Sequence, residues 1–427
     1  MSTSSEKAKA LIKLIEKTDE WDRILQTLHP QSLNPEEGQP AIPGLLSWSK
    51  ESFDKRLEFI KSVKGMNLGK LSGKEPMPTN PELYQGNIEN FIGMTQVPTG
   101  LVGPLLINGT IAQGDFYVPL ATTEGALVAS YSRGAKATRL SGGITSVCLT
   151  EAVQRTPVFK FVSLPEVGKF MYWILDQVNH FKAIVKTKSK HAELIDMRLN
   201  MEGNQVLCIF DYSTGDAAGQ NMVTICTDAI CNYIIEKTPI QPQVWYLESN
   251  YSGDKKATVV SFSTVRGKKV TAEAVIKEKI VKEVLFSTPK QIVQYWQTSS
   301  VAAVQSGSIG IQGHFANALT AIFMACGQDV ACVSESYVGI TRMEVNDAGD
   351  LYVTVTLPSL VVGTIGGGTR LPTQRECLEL LDCYGEGGAR KFAEICGATV
   401  LAGELSIAAA LASGSFAKAH RLFGRKI

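Results

Sequence analysis

A change of residue pattern in the middle of the chain is the feature that most constrains its fold. Between about residues 157 and 247 the sequence reads as a helix, two strands that turn at Glu202–Asn204, a second helix and a strand at "VWYLES". The chain on either side is instead built of small residues, glycine-rich turns and long apolar helices. Such a block between two halves of another kind is typical of a domain inserted into a larger one. The predicted division is a helical N-terminal leader at 1–80, a large domain at 81–156 and 248–427, and the inserted domain at 157–247.

The charge balance and the cysteine and histidine content exclude several classes of function. Lysine and arginine number 42 against 41 acidic residues, a net charge of +1, so the chain has no overall field that would attract nucleic acid or an anionic membrane. The nine cysteines include no CxxC pair, which favours reduced, buried thiols and a cytoplasmic location. The five histidines show no paired spacing, so we predict no metal site.

The stretch Val301–Gln328 carries no formally charged side chain and is long enough to suggest a membrane span. It contains Gln305, His314 and Asn317 among other polar residues, which are too costly in hydrocarbon, so we predict a buried helix with a glycine-rich entry and no membrane span. The N-terminus lacks the apolar core of a secretory signal. The absence of GxGxxG after a strand, of a P-loop and of a GxSxG elbow disfavours ordinary Rossmann, P-loop and hydrolase sites.

Four isolated charged residues stand in apolar or glycine-rich surroundings, namely Glu124, Lys255, Asp329 and His420. If they converge, two neighbouring carboxyl groups can hold a shared proton, the lysine can stabilise an oxyanion and the histidine can protonate a leaving group. For each of them, a capped helix end or a surface charge is the alternative. The choice between a catalytic role and a surface or capping role matters most for Glu124. This residue lies among small apolar residues and reads as part of the helix that carries Arg133.

Three short stretches are suited to binding phosphate. In "DYSTGDAAGQNMVT" (211–224) a strand ends at Asp216 and small residues open a helix, whose first N–H groups can hold a phosphate, although Asp216 can equally be an N-cap. The turn "GTIGGGTRLP" (363–372) is compatible with a tight bend or with backbone contact to a ligand. The lysines between 182 and 191 are either a solvated loop or a site that captures the phosphate of a nucleotide.

From Glu89 to the C-terminus, these stretches together resemble the 3-hydroxy-3-methylglutaryl-CoA (HMG-CoA) reductase family. The family's dimerisation signature ENVIG is similar to "ENFIG" (89–93), which "VPTGLVGPL" follows. Motifs of this length in this order are highly specific. The further matches are "ATTEGALVAS" (121–130) for the segment of the catalytic glutamate, "DAAGQN" (216–221) for the dinucleotide motif, "GDKK" (253–256) for the lysine loop, "CGQD" (326–329) for the aspartate motif, "GTIGGGT" (363–369) for the glycine turn, "AGELS" (402–406) and "KAH" (418–420).

The resemblance implies an α+β fold: a large catalytic domain built around a long central helix, with an inserted ferredoxin-like domain that holds a nicotinamide cofactor. It implies that a thioester is reduced by two hydrides. Lys255 would stabilise the oxyanion, and His420 would protonate the CoA thiolate that leaves. Glu124 would be the catalytic glutamate, buried for that role, and would donate a proton to the aldehyde. Asp329 would adjust both Glu124 and Lys255.

The resemblance also implies the binding residues and the assembly. The 2′-phosphate of NADPH would meet a lysine where the family has an arginine, which keeps the charge but loses the bidentate fork, so NADH stays possible. A homodimer or homotetramer with active sites at the subunit interface is expected. The implied substrate residues are Arg155, Asp254, Lys256, Ser130, Arg133 and Asn317, and the implied cofactor residues are Asp216, Ala218, Gly219, Gln220, Asn221, Gly367 and Gly368, with Ser189 and Lys190 at the 2′-phosphate.

Two departures from the family concern the acyl group. No lysine stands between Gln291 and Gln312, where members such as the mammalian enzyme bind the terminal carboxylate of the substrate. Glu248 or Ser249 occupies the neighbourhood of a family serine. We predict NADPH-dependent reduction of an acyl-CoA thioester to the alcohol, with HMG-CoA giving mevalonate and CoA. The alternatives are a reductase of a different acyl-CoA or carrier-bound thioester, and a non-catalytic homologue that binds acyl-CoA.

Overall fold

The computed structural model describes residues 21–31, 41–44, 47–264 and 266–416 of the 427-residue chain. Helices and strands are interleaved along these residues, and the strands join in one eleven-stranded sheet. The predicted mixture of the two is therefore confirmed. The sequence also predicts a helix at 5–28 in the leader, and its residues 5–20 lie outside the described residues, as does His420.

The helices vary from single turns to one of 25 residues. Short 3-10 turns at Pro81–Tyr84, Val330–Cys332 and Gly367–Arg370 add to them. The helices are α1 (Trp21–Leu28), α2 (Lys50–Lys64), α3 (Leu127–Leu140), α4 (Leu164–Leu175), α5 (Val178–Lys188), α6 (Gln220–Lys237), α7 (Val260–Ser263), α8 (Glu278–Leu285), α9 (Pro289–Gln305), α10 (Phe315–Ala325), α11 (Val333–Ser336), α12 (Pro372–Leu380) and α13 (Gly388–Ala412).

The strands form a sheet whose main path runs β7-β4-β6-β3-β8-β11-β10-β9, with β1 beside β2 and β3, and β5 beside β6. The long strand β3 belongs to both halves of this sheet. Its residues Thr145–Ala152 pair antiparallel with β8, and its last residues, Val153–Arg155, pair antiparallel with β6. The strands are β1 (Thr99–Gly109), β2 (Gln113–Ala121), β3 (Ile144–Arg155), β4 (Val158–Lys160), β5 (Glu193–Glu202), β6 (Gln205–Ser213), β7 (Val244–Tyr246), β8 (Gly267–Ile276), β9 (Gly310–Ile311), β10 (Gly339–Val345) and β11 (Leu351–Leu360).

Helix α13 lies at the centre of the larger hydrophobic core, and every residue of it from Phe392 to Ser406 is buried. Small side chains make this enclosure feasible. A Cβ at Gly134 of α3 would lie 1.9 Å from the carbonyl oxygen of Ala402, so only glycine allows the two helices to approach this closely. Within the described part of the chain, α13 is also the one helix long and apolar enough to cross a membrane, but 83% of its most apolar window is buried inside the fold.

The block predicted to be an inserted domain has a hydrophobic cluster of its own. Buried side chains from Val153 to Ile234 form it, and helices α4, α5 and α6 contribute to it together with strands β5 and β6. The turn predicted at Glu202–Asn204 is confirmed, since β5 ends and β6 begins there. The exact division of the chain into domains stays a prediction.

One local prediction is confirmed and another is wrong. The apolar residues from Phe53 to Val63 recur at helical spacing and predict a helix that opens near Ser49. The helix begins there, and Ser49 Oγ accepts a hydrogen bond from the Ser52 N–H at 3.1 Å. The segment 257–276, which reads as a hairpin or strand pair, contains instead the short helix α7 and the single strand β8. Strand β8 lies between β3 and β11, so its pairing partners come from distant parts of the chain and not from a neighbouring strand.

Glu394 of α13 fastens the β1–β2 hairpin to the central helix. Its carboxylate accepts hydrogen bonds from the N–H groups of Ile111 and Ala112, at 3.0 and 2.8 Å, and from the hydroxyl of Thr110. The Cys148 N–H is a further donor at 3.4 Å. Burial raises the pKa of this carboxyl, although the donors oppose the shift. All of the neighbouring groups are donors, so a carboxylate fits here and an amide does not.

We expect Glu394→Gln to lower the free energy of unfolding by about 2 kcal/mol, because its amide NH₂ would face N–H and O–H donors in a buried place. The raised pKa of Glu394 means that folding favours the protonated acid. The difference in free energy of unfolding between the wild type and Glu394→Gln therefore becomes smaller as the pH rises above the ordinary pKa of a glutamate. Urea denaturation at several pH values measures both effects. Glu386→Gln, at an exposed position, is the control, and equal stability of the two variants would contradict the assignment.

Candidate active site

A cleft of about 1540 Å³ opens between the loop after β2, the start of α6, the glycine turn after β11 and the segment after α10. Two of the four isolated charges, Glu124 and Asp329, lie on its wall. The implied cofactor residues that line it are Ala218, Gly219, Gln220, Asn221, Gly367 and Gly368.

Glu124 lies in the loop between β2 and α3 and is exposed to the cleft. The expectations that it is buried and that it belongs to the helix are both wrong. Helix α3 begins only at Leu127, because Ala126 adopts a left-handed conformation (φ 71°) that ends the loop. The carboxylate accepts a hydrogen bond from Asn317 Nδ2 at 2.9 Å, and Asn317 lies in the first turn of α10. The predicted substrate residue Asn317 therefore contacts the predicted acid directly.

Asp329 has a structural contact and a charged contact at the same time. Its Oδ1 accepts the N–H of Ala331 at 3.0 Å and so caps the short turn Val330–Cys332. Its Oδ2 lies 2.9 Å from the Nζ atom of Lys255, and the two side chains are 47% and 48% exposed. The hydrogen bond that the Lys255 ammonium donates to Asp329 raises the pKa of Lys255, so this ammonium stays charged well above neutral pH. The cap that the alternative interpretation expects is therefore present, and the catalytic role of Asp329 stays a prediction.

The backbone of the lysine loop is held by a residue that sequence reasoning missed. The N–H of Lys255 donates to Glu335 Oε2 at 2.6 Å, and Arg266 Nε donates to the same oxygen at 3.0 Å. Glu335 and Arg266 are 2% and 3% exposed. Burial raises the pKa of Glu335, and Arg266 opposes that shift. The one feature of the sequence that could have indicated Glu335 is that it is the single acidic residue in "ACVSESYV", and a helix on the protein surface shows the same pattern.

Arg155, at the end of β3, is buried and already has two carboxylate partners. Its guanidinium lies 3.0 Å from Asp254 Oδ2 and 3.3 Å from Glu248 Oε2. Burial acts to raise the pKa of Asp254, but Arg266 and Arg155 outweigh it, so that pKa is lowered. Lys256 is exposed and its Nζ donates to the carbonyl oxygen of Asp254 at 2.9 Å. The implied acyl-binding residues Arg155, Asp254 and Lys256 are thus brought together, with Glu248 among them.

The implied CoA-binding residues Ser130 and Arg133 lie on α3 and contact α13. Both are bonded to Ser406: the Ser130 hydroxyl lies 2.9 Å from Ser406 Oγ, and Arg133 Nη2 donates to the Ser406 carbonyl oxygen at 2.7 Å. Burial lowers the pKa of Arg133. Among the residues that the structure describes, no carboxylate lies within ion-pair distance of Arg133, so its charge is free to meet an anion.

The dinucleotide motif divides into a structural part and a part that faces the cleft. Asp216 accepts the N–H groups of Gly387 and Ala389 at 2.8 and 3.0 Å, so it caps the start of α13, a different helix from the one that follows it in sequence. Gly219 precedes α6 with φ 81° and caps it without any side chain. The first N–H groups of α6 therefore remain available to an anion in the cleft.

The glycine turn packs its backbone against two neighbouring loops. A Cβ at Gly363 would lie 2.5 Å from the Ala218 nitrogen, and one at Gly327 would lie 2.3 Å from the Gly368 carbonyl oxygen. Glycine is required at both contacts because the backbones touch. As a result, a floor without side chains runs from the dinucleotide motif to the aspartate motif, and a ligand can approach its peptide groups closely.

Three implied cofactor residues do not line the cleft, namely Asp216, which caps α13, and the pair Ser189 and Lys190. Ser189 and Lys190 follow α5, and the Ser189 hydroxyl accepts the N–H groups of His191 and Ala192 at 3.1 and 3.0 Å. Their role at a 2′-phosphate stays a prediction. No cluster of three or more metal-ligating side chains occurs in the described ranges. What the cleft brings together is a carboxyl group, an ammonium tied to a second carboxylate and a floor of peptide N–H groups, an arrangement suited to proton donation and oxyanion stabilisation.

The chain is similar to known proteins over most of its length. Residues 52–425 match the family model described as hydroxymethylglutaryl-coenzyme A reductase. The 3-hydroxy-3-methylglutaryl-coenzyme A reductase of Aeropyrum pernix is 47% identical over 350 residues, which cover 81% of this chain and 83% of that one. The enzyme of the same name from Pyrococcus abyssi is 44% identical over 353 residues, which cover 81% and 86%.

A solved structure shares the fold at low sequence identity. The class II 3-hydroxy-3-methylglutaryl-CoA reductase of Streptococcus pneumoniae, bound to NADPH in open conformations, superposes with a TM-score of 0.69 at 20% identity, over 86% of this chain and 100% of that one. With a family model spanning most of the sequence and relatives more than 40% identical, the chain belongs to the hydroxymethylglutaryl-coenzyme A reductase family.

Proposed function

We propose that this protein reduces HMG-CoA to mevalonate and free CoA, with two molecules of NADPH as the reductant. The observation that carries the proposal is the contact between Lys255 and Asp329 at the edge of the cleft that Glu124 also lines. A cation and two acids around one cavity meet the needs of a reaction that forms an oxyanion and consumes protons. Family membership supplies the substrate class.

Each side chain has a defined task in this scheme. The Lys255 ammonium stabilises the negative charge that develops on the thioester oxygen, and Asp329 keeps that ammonium charged and in place. His420 protonates the CoA thiolate as it leaves. Glu124, oriented by Asn317, donates the proton to the aldehyde oxygen during the second reduction. NADPH supplies a hydride in each of the two steps when bound.

The cofactor fits the part of the cleft that is built from backbone. The uncapped start of α6 at Gly219 and the glycine turn with Gly367 and Gly368 offer N–H groups to a pyrophosphate without a side chain in the way. Lys190, with Ser189, is our candidate for the 2′-phosphate that distinguishes NADPH from NADH. A lysine attracts this phosphate as a point charge, so NADH remains a weaker cofactor.

We further propose a homodimer or homotetramer in a reducing, cytoplasm-like compartment, with the active site completed across the interface. The "ENFIG" segment supports the assembly, because Ile92 is fully exposed in the single chain and an apolar side chain gains from being covered. All nine cysteines are buried and unpaired, which suits a compartment where thiols stay reduced.

A reductase of a different acyl thioester is the second candidate, and the contacts of Arg155 favour it. Glu248 and Asp254 already neutralise this arginine, and the chain has no lysine between Gln291 and Gln312 to replace it. A carboxylate on the acyl group would find fewer free cations than in the family pattern. A non-catalytic acyl-CoA binder is disfavoured, because binding alone does not require Glu124 and Lys255 in one site.

The first test is an assay of NADPH consumption by its absorbance, with HMG-CoA and a panel of other acyl-CoA thioesters. We expect turnover with HMG-CoA and a loss of about 10²- to 10³-fold in kcat for Lys255→Ala, since the oxyanion loses its cation. Lys279→Ala, at an exposed position on α8, is the control. Turnover with another thioester alone would favour the second candidate, and no turnover with any would leave only a binding protein.

The second test removes the acid that competes for Arg155. We expect Glu248→Gln to lower the KM for HMG-CoA about three- to tenfold, which corresponds to roughly 1 kcal/mol, because the arginine then has charge to offer to the acyl carboxylate. The KM for a CoA thioester without a terminal carboxylate should not change. Glu151→Gln is the matched control, since Glu151 is equally 22% exposed but pairs with Lys268. An unchanged KM for HMG-CoA in Glu248→Gln would show that Arg155 does not bind this carboxylate.

The third test uses pH. The hydrogen bond that the Lys255 ammonium donates to Asp329 raises the pKa of Lys255, so the ammonium form persists to higher pH than for a free lysine. We expect Asp329→Asn to reduce kcat and also to move the alkaline limb of the kcat/KM profile to lower pH. Short assays between about pH 8 and 11 measure the shift. Asp347→Asn, on an exposed turn, should leave the profile unchanged, and an unmoved limb in Asp329→Asn would show that another group titrates there.

A further inference from the structure

The short segment from Asp329 to Ser336 contacts Lys255 at both of its ends. Asp329 Oδ2 holds the ammonium at 2.9 Å, and Glu335 Oε2 accepts the backbone N–H at 2.6 Å. Between these two acids lie only the 3-10 turn Val330–Cys332 and the beginning of α11. The same small structural unit thus holds both the side chain and the main chain of this lysine.

The backbone of Lys255 requires such support. Its φ of 54° places it in the left-handed region, which costs a residue with a side chain about 1–2 kcal/mol. The loop itself supplies one turn bond, from the Lys256 N–H to the carbonyl oxygen of Gly253 at 3.0 Å. The Glu335 contact acts on Lys255 itself and comes from outside the loop. It therefore holds the strained residue against the rest of the protein.

The charge of Glu335 is compensated by Arg266. Both side chains are almost fully buried, and Arg266 Nε donates to the same Oε2 at 3.0 Å. Arg266 also donates to the carbonyl oxygen of Gln154 at 2.9 Å and to Gln220 Oε1 at 3.0 Å, and it pairs with Asp254. An unpaired buried carboxylate would be very costly, so this partner is what allows Glu335 to be a charged acceptor.

We propose that Glu335, supported by Arg266, is a positioning residue that fixes Lys255 where the oxyanion of the thioester forms. This inference rests on the proposed function. Glu335 does not line the cleft and touches no reacting atom, so it acts through the lysine. Lysine has a long flexible side chain, and that of Lys255 is half exposed. The bond between its ammonium and Asp329 therefore does not by itself fix the position of the Lys255 backbone. A displacement of about 1 Å in a catalytic group can cost about 10²-fold in rate.

The test compares three replacements of Glu335 in the full-length protein. We expect Glu335→Ala to lower kcat about ten- to hundredfold with the KM for NADPH within about twofold of the wild type. Glu335→Asp keeps the charge beside Arg266 but is one methylene too short to reach the Lys255 N–H, so its kcat should fall about tenfold. Glu335→Gln keeps an acceptor oxygen of the right reach and should retain kcat within about threefold. If the alanine variant fails to fold, the aspartate and glutamine variants still decide the proposal.

Glu394→Gln is the matched control, because Glu394 is also a buried carboxylate that accepts backbone N–H groups, but from the β1–β2 hairpin. It should lose stability and keep its kcat. A merely structural role for Glu335 would give the same pattern, with lowered stability and unchanged kcat in Glu335→Ala and Glu335→Asp. That result would overturn the proposal.

Hydrogen–deuterium exchange gives a readout that needs no activity. In Glu335→Ala and Glu335→Asp, the Lys255 amide should exchange at least about tenfold faster, while amides of α13 exchange as in the wild type. Glu335→Gln should keep the slow exchange. Unchanged exchange at Lys255 in the alanine and aspartate variants would overturn the proposal even if the wild type turned over no HMG-CoA. Inactivity of the wild type, with the expected exchange, would instead point to failure of the proposed function.

Discussion

The buried guanidinium of Arg266 donates to four parts of the chain that are far apart in sequence. It contacts the end of β3 at Gln154, the start of α6 at Gln220, the lysine loop at Asp254 and helix α11 at Glu335. These elements carry the proposed acyl-binding arginine, the dinucleotide motif, the proposed catalytic lysine and the segment after the proposed catalytic aspartate. A guanidinium is suited to this position because its planar array of five donors serves several acceptors and cannot lose its proton. One buried side chain thus connects four segments that border the candidate site.

The local features of the fold could be read from the sequence, and the contacts between distant segments could not. The helix that opens at Ser49 and the turn at Glu202–Asn204 follow from capping and turn preferences, which depend on a few neighbouring residues. The bond between Lys255 and Glu335 joins residues 80 positions apart, and nothing near either one indicates it. The prediction of a hairpin or strand pair at 257–276 is wrong for the same reason, because the topology of the sheet brings the pairing partners of β8 from distant parts of the chain.

The candidate site shows that structural and chemical roles need not exclude each other. Asp329 caps a turn with one oxygen and binds an ammonium with the other, so the cap holds the carboxylate in a fixed orientation for the lysine. Asp216 caps a helix too, but with both oxygens, and it therefore shapes the cleft without facing it. Motif resemblance located both residues without distinguishing these cases. Glu124 differs again, because a left-handed Ala126 delays the helix and leaves the carboxylate exposed, where Asn317 orients it.

The ion pairs around Arg155 bear directly on which acyl group the protein can bind. In the single chain Glu248 and Asp254 pair with Arg155, and Asp254 also pairs with Arg266, so both buried cations already have anionic partners. A substrate carboxylate has to displace an internal partner or use the exposed Lys256, and either route weakens its binding relative to an unpaired arginine. Arg133 is half-buried and has no carboxylate partner among the described residues, so its charge is available for the CoA end that we predict it binds. Under the proposed function, the carrier portion of the substrate would therefore meet an available cation at Arg133, and the acyl portion would compete with the ion pairs of Arg155.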